Sequence, residues 1–375
     1  MTQLVVRASG DPSLGYAGLD ALAEALHLRG VDSVDRIMID DTYFDDQILP
    51  PAFEQQPKES AAFRAAISAF AVNRNSYVVH LGPGSELEGP GRVRVLADGY
   101  VQIDNRTVTV AGGSPTPRIE DKLTDDGHLA VRVDGAIPKQ VRTLYYRRRV
   151  PDPKTYAALL LVRALKKAGV GGALAVEYGP VTEQQPVLVD MPSSQLSSLL
   201  YPLGKWSDNF TAEMLLKILG AQLERPGTSA NGTVVVREEL MKMGVDTEGL
   251  VMVNGSGLFD GNKIAPRHVT ETLVAVYRDP AIRAEYVAHL AVAGSDGTLR
   301  TRLKDLPRPR MVRAKTGTLR DVVALSGYVL GEPERSVAFS FLANGIAGKQ
   351  GDAKKLADNI VRALADYATR PTPEH

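Results

Sequence analysis

The 375 residues contain no cysteine. Disulfides, thiolate metal sites, iron–sulfur clusters and a Cys nucleophile are therefore excluded. The compartment is not fixed by this, since exported and cytosolic proteins can both lack the residue. An excess of charge of either sign is missing too, because Lys plus Arg and Asp plus Glu each number 44. A nucleic-acid binder normally carries a basic surplus to neutralise phosphates, and a lipid-surface binder carries a polybasic cluster; the balance argues against both. No apolar run approaches the roughly 20 residues of a membrane span. The start, Met1-Thr-Gln-Leu-Val-Val-Arg-Ala-Ser-Gly10, has neither the basic opening nor the apolar core of roughly 7–15 residues of a secretory signal. As written, the chain is expected to be soluble and to carry no signal and no transmembrane segment. Metal-binding spacing is absent as well: His27, His80, His128, His268, His289 and His375 sit in no HExxH-type pattern. Gly82-Pro-Gly84-Ser85 lacks the lysine and the following helix of a phosphate loop and reads as a turn. No cofactor is expected.

What is present reads as an ordinary globular chain. An apolar fraction of 44% against 23% charged excludes a disordered polymer, and the length suits two to three domains. Over 1–45 the pattern is strand, helix, strand: Leu19, Leu22, Ala23 and Leu26 recur at helical spacing within 14–30, Gly30 stops that helix, and 36–40 alternates as a strand. From about 76 to 150, short β-type runs at 76–81, 92–96, 106–110, 129–133 and 141–146 are punctuated by Gly and Pro, predicting a β-rich module. A helix follows over 156–168, then a strand and a loop over 174–189. Helices are predicted at 193–203, 210–220, 236–243, 267–277 and 280–293, and strands at 310–314, 322–329 and 336–342. The turn Gly331-Glu-Pro-Glu334 would join the last two strands as a hairpin. The last helix, 353–368, would bury Leu356, Ile360, Val361 and Leu364.

Two triplets stand out as a pair. Ser207-Asp208-Asn209 enters a helix, and Lys315-Thr316-Gly317 precedes a strand. Alone, the first is good N-cap chemistry and the second a surface turn. In this order they match the second and third motifs of the penicillin-interacting serine enzymes. Further segments match with them: Gly10-Asp-Pro-Ser-Leu14, Ile67-Ser-Ala69 with Val72-Asn-Arg-Asn75, Lys205-Trp-Ser-Asp-Asn-Phe210 with Glu213, Gly255-Ser-Gly-Leu258 with Ala265-Pro266, Asp296-Gly-Thr-Leu299, and Arg313-Ala-Lys-Thr-Gly-Thr-Leu319 followed by Leu325-Ser-Gly-Tyr328. Across nearly its whole length the chain resembles the class C low-molecular-mass penicillin-binding proteins, the D-alanyl-D-alanine carboxypeptidase/endopeptidase family.

The resemblance implies an α/β (α+β) multidomain fold, a penicillin-binding, β-lactamase/transpeptidase-like domain with two inserted domains. An inserted α/β domain would comprise 1–75 with 151–188, a nested β-rich domain 76–150, and the C-terminal portion of the penicillin-binding domain 189–375. It implies a peptidoglycan peptide ending in D-Ala-D-Ala as substrate, β-lactams as ligands, and a periplasmic or extracytoplasmic location. It gives roles by motif: Ser207 relays a proton, Asn209 binds the substrate amide, and Lys315 with Thr316 and Thr318 holds the terminal carboxylate. Gly317 would let the strand edge approach the substrate, and the Thr318 N–H would donate to an oxyanion.

One departure is plain. The family's first motif, Ser-x-x-Lys, supplies the acylated serine and its base, yet no serine in the chain has lysine three positions later. In the family this motif lies upstream of the Gly-Asp-Pro segment, which here begins at Gly10. The chain as written is therefore expected not to be acylated, and Ser207 has no matched base with which to substitute. Three readings stay open: a start assigned or cloned too late in a normal enzyme, a nucleophile-less relative that binds peptidoglycan peptides or a partner, or a decayed gene product.

Overall fold

The computed structural model describes residues 1–97, 99–182, 186–332 and 335–370. The turn residues Pro333 and Glu334, and His375, lie outside the described residues. The chain divides into two compact units, 1–49 with 56–193, and 50–55 with 194–375.

The first unit opens with β1 (Gln3–Arg7), α1 (Tyr16–Leu28) and β2 (Arg36–Asp40). Parallel strands need a crossover, and α1 supplies it: β1 and β2 run parallel from Gln3↔Arg36 to Arg7↔Asp40. Leu19, Ala23 and Leu26 form the buried stripe of α1, and Gly30 takes the left-handed φ of 84° that ends it. The β-rich stretch holds β3 (Ser76–Gly82), β4 (Arg92–Val95), β5 (Val101–Val110), β6 (Arg118–Leu123), β7 (Leu129–Pro138) and β8 (Leu144–Arg149). They form two three-stranded sheets, β4–β3–β8 and β5–β7–β6. Strand β6 has no counterpart in the sequence reading. Its run Arg-Ile-Glu-Asp-Lys-Leu carries only two apolar residues, and backbone pairing with β7, Arg118↔Asp134 to Leu123↔Leu129, makes it a strand. Helix α2 (Pro153–Lys167) is capped by Asp152, whose Oδ1 accepts from the Thr155 N–H at 3.1 Å. It buries Tyr156, Leu160, Leu161, Ala164 and Leu165. Strand β9 (Ala175–Tyr178) completes the sheet β1–β2–β9, parallel to β2.

The second unit contains α3 (Leu196–Trp206), α4 (Asn209–Leu223), α5 (Ser229–Lys242), α6 (Pro266–Arg278), α7 (Arg283–His289), β10 (Ala291–Val292), β11 (Val312–Thr318), β12 (Val323–Val329), β13 (Val337–Ala343) and α8 (Gln350–Thr369). An antiparallel sheet runs β10–β11–β12–β13. Three sequence expectations are corrected here. The helix read over 280–293 stops at His289, and Ala291 and Val292 pair with Ala314 and Arg313 instead. Short apolar runs do not distinguish strand from helix, and full burial of both residues at the sheet decides for strand. Lys315-Thr316-Gly317 lies inside β11, paired through Thr318↔Val323, rather than before a strand. Cross-strand hydrogen bonding overrides the weak β preference of Lys and Gly. In α8 the buried stripe is Ala353, Ala357, Val361, Ala365 and Ala368, while Leu356 and Ile360 are 54% and 39% exposed. Alanines at spacing four let the helix approach the sheet closely, which the longer side chains would prevent.

Among the described residues, no helix is long and apolar enough to cross a membrane, and no group of three or more His, Asp or Glu is placed to hold a metal ion.

Candidate functional site

The site is built where α3 meets α4, beside β11. Helix α3 ends at Trp206, and Ser207 takes a left-handed φ of 61°, a conformation that non-glycine residues adopt at some cost and that clusters at functional positions. Its N–H still bonds to the Leu203 carbonyl at 3.1 Å. Asp208 then accepts from the Thr211 N–H at 3.2 Å and caps α4, whose first residue is Asn209. Within the Ser-Asp-Asn triplet the capping falls to Asp208, leaving the exposed Ser207 side chain for another partner. That partner comes from the other triplet, 108 residues away: Lys315 Nζ donates to Ser207 Oγ at 2.7 Å and to the Thr316 carbonyl at 2.8 Å. Burial disfavours the charged amine and pulls Lys315 down to about 8. Ser207, without a base in the sequence reading, thus has a lysine in hydrogen-bond contact.

Strand β11 presents the rest. Residues Lys315–Thr318 pair with Ser326, Leu325, Ala324 and Val323 of β12 on one side. On the other, β10 reaches only Arg313 and Ala314. Among the described strands none covers 315–318 on that side, so alternate backbone N–H and C=O groups face no neighbouring strand there. The Thr316 carbonyl accepts from Lys315 Nζ, and the rest of the edge is placed to receive an extended peptide. Gly317 keeps that stretch slim, and Thr318 is exposed at its end. The Thr316 hydroxyl lies 2.8 Å from that of Thr298. Arg313, two positions before Lys315, shares its face of the strand and adds positive charge.

The structure gives jobs to residues that carried none in the sequence reading. Lys205, 3% exposed, directs Nζ to the Leu290 carbonyl at 2.6 Å and to both Asp296 oxygens at 3.1 and 2.9 Å. Asp296 also accepts from the Val292 N–H at 2.7 Å. This part-buried pair ties the end of α3, and so Ser207, to the segment bearing Thr298. Two glycines allow the approach: a Cβ on Gly204 would strike the His289 carbonyl, and one on Gly297 the Lys205 carbonyl. Below the site, Glu213 accepts from the Gly255 and Ser256 N–H groups at 3.0 and 2.8 Å, shaping that loop. Burial pushes its carboxyl upward, against those bonds and the nearby Lys217 charge. Only the presence of Lys205, Glu213 and Asp296 inside the matched segments signalled them; their partners are remote in sequence.

Residues 1–367 match the D-Ala-D-Ala carboxypeptidase 3 (S13) family. The chain belongs to that family. It is 36% identical over 380 residues to a D-alanyl-D-alanine carboxypeptidase of Actinomadura sp. (strain R39), covering 97% of this chain and 69% of that protein. It is 25% identical over 350 residues to the D-alanyl-D-alanine carboxypeptidase DacB of Haemophilus influenzae, covering 91% and 72%. The fold is similar to crystal structures of penicillin binding protein 4 from H. influenzae. One superposes with a TM-score of 0.78 at 22% identity over 96% of this chain and 82% of that one. The other, in complex with a β-lactam, gives 0.72 at 23% over 97% and 81%. The S13 chain therefore has the mixed α/β multidomain fold of a penicillin-binding protein.

Proposed function

We propose that this S13 chain holds peptidoglycan peptides ending in D-Ala-D-Ala, outside the cytoplasm, as a serine-type D-Ala-D-Ala carboxypeptidase/endopeptidase does. The observation that carries the reading is Lys315 Nζ at 2.7 Å from Ser207 Oγ, beside the uncovered edge of β11. A peptide laid along that edge would extend the sheet, with its terminal carboxylate at Lys315, Thr316 and Thr318. Gly317 would admit the close approach, the Thr318 N–H would face the scissile carbonyl, and Asn209 would bond the substrate amide. Ser207 and Lys315 form the relay that returns a proton to a leaving amine. Since no Ser-x-x-Lys pattern occurs in these 375 residues, the chain by itself is expected to bind such peptides and β-lactams without forming an acyl-enzyme. Calorimetric titration with diacetyl-Lys-D-Ala-D-Ala tests this. Reversible binding that weakens at least about tenfold in Lys315→Ala is expected, since a charge-assisted contact is lost; equal affinity for the variant would overturn the reading.

A second reading has its own support. A serine hydrogen-bonded to a lysine brought down to about 8 is a Ser–Lys dyad, and such pairs act as nucleophile and base. Mass spectrometry after incubation with a penicillin separates the two. An unmodified chain supports binding alone, whereas an adduct mapped to Ser207 makes the chain a hydrolase in its own right.

A further inference from the structure

The sheet β4–β3–β8 has an inner and an outer face. Tyr77, Val79, Leu81 and Val95 are buried in the core, with Val93, Leu144 and Tyr146 packed against it. By alternation the intervening residues share the outer face. The register sets them in rows across the strands: Arg94, His80 and Tyr145 in one, Arg92 with Gly82 and Arg147 with Val78 flanking it. Arg92, Arg94, Tyr145 and Arg147 are exposed, Tyr145 by 65%. The His80 and Tyr145 rings meet edge-on, with centroids 4.9 Å apart. Arg149, opposite Ser76 at the end of this face, donates to the Glu59 and Pro57 carbonyls.

No Asp or Glu occupies an outward position on these three strands. Among the described residues no ion pair or hydrogen bond engages the guanidinium groups of Arg92, Arg94 or Arg147. Several arginines elsewhere in the same unit are committed. Arg148, on the inner side of β8, holds Asp121 at 3.0 Å. On the sheet β5–β7–β6, Arg106 and Arg132 each bond an acid two residues away, Asp104 and Asp134, at 2.9 Å. In a chain of zero net charge, this face is a segregated cationic patch around an aromatic pair.

Guanidinium forks match carboxylates, and flat rings offer an apolar platform to the faces of sugar rings. Outward side chains recur about 4.8 Å apart across strands and about 6.7 Å along them, so an extended polymer with repeated acidic groups meets several at once. We propose that this face docks an acidic glycan, namely polymeric peptidoglycan, its stem-peptide carboxylates on Arg92, Arg94 and Arg147 and its sugars on Tyr145 and His80. The proposal rests on the substrate class given above and deepens it, from a soluble peptide to the polymer that carries it. Nucleic acid fits less well, since the chain as a whole lacks the basic surplus that phosphate neutralisation requires.

Co-sedimentation with purified insoluble peptidoglycan tests the proposal, using the full chain, an Arg92→Glu/Arg94→Glu/Arg147→Glu variant and Tyr145→Ala. All four substitutions are at exposed positions, and circular dichroism checks the fold. Retention is expected to fall about tenfold or more in the triple variant and about threefold in Tyr145→Ala, and to weaken with salt. The triple variant should still bind soluble diacetyl-Lys-D-Ala-D-Ala like the parent. Equal sedimentation of parent and triple variant at low salt overturns the proposal. So does preferential retention of a single-stranded DNA oligonucleotide, which would make the face a nucleic-acid surface. Loss of soluble-peptide binding in the parent would instead overturn the Lys315 reading and leave the polymer measurement to stand by itself.

Discussion

Lys315 serves two purposes that need different protonation states. Charged, it attracts a carboxylate; neutral, it can take the Ser207 proton. Burial brings it to about 8, so both forms are within reach near neutrality. Peptide affinity should therefore be flat from pH 6 to about 7 and fall as pH rises through about 8, a titration that calorimetry at several pH values would read. The stability consequence has a definite sign. Below about pH 8 the lysine is charged in folded and unfolded chains alike, and the cost of burying that charge is fully present. Between about 8 and the unfolded value of 10.5 the folded chain loses its proton first, and the cost fades. Lys315→Met should therefore abolish peptide binding and raise the melting temperature at pH 7, with a smaller gain at pH 9.5. Lys205 behaves differently, because its charge is compensated by Asp296. Lys205→Met should cost about 3 kcal/mol in urea unfolding, toward the lower end for a broken buried pair because the Asp296 side chain is 33% exposed. Both triplets were legible from the sequence because each is local. The Lys205–Asp296 pair spans 91 positions, and no pattern in the sequence pairs those two residues.

Among the elements, α8 and β11 show what local pattern misses. The apolar residues of α8 suggested a face through Leu356 and Ile360, yet the helix seats its alanines on the sheet. Leu356→Ser should therefore stay within about 0.5 kcal/mol of the parent, as exposed substitutions do. Ala357→Leu, at a position 1% exposed, should cost about 1–3 kcal/mol by overpacking. Thermal melts of the two variants decide which face is buried. Strand β11 shows the complementary case. A run containing Lys, Thr and Gly reads as a turn, but the β12 ladder holds it extended as far as Thr318. The same ladder leaves its other edge open beyond Ala314 because β10 is only two residues long. That shortness comes from α7 ending at His289, not from anything within the Lys-Thr-Gly triplet.

For the molecule as a whole, the two compact units allow a ligand to be located by protection. A D-Ala-D-Ala peptide at about 100 times its Kd stabilises the state it binds by about 2.7 kcal/mol. Hydrogen exchange should slow in 194–370, above all at 205–209 and 312–318, with amides of 56–182 unchanged. Protection confined to the first unit would count against the Lys315 site. The sequence by itself determined the class of chain, the family motifs and most element types, because composition, period and triplets are local properties that any fold must express. Tertiary structure alone decided three things: that Ser207 and Lys315 touch, that a part-buried Lys205–Asp296 pair fixes Ser207 against the Thr298 segment, and that three arginines share one uncommitted face. Each depends on which strands pair, in what register, and what is buried, and those outcomes are set by contacts between residues far apart in the chain.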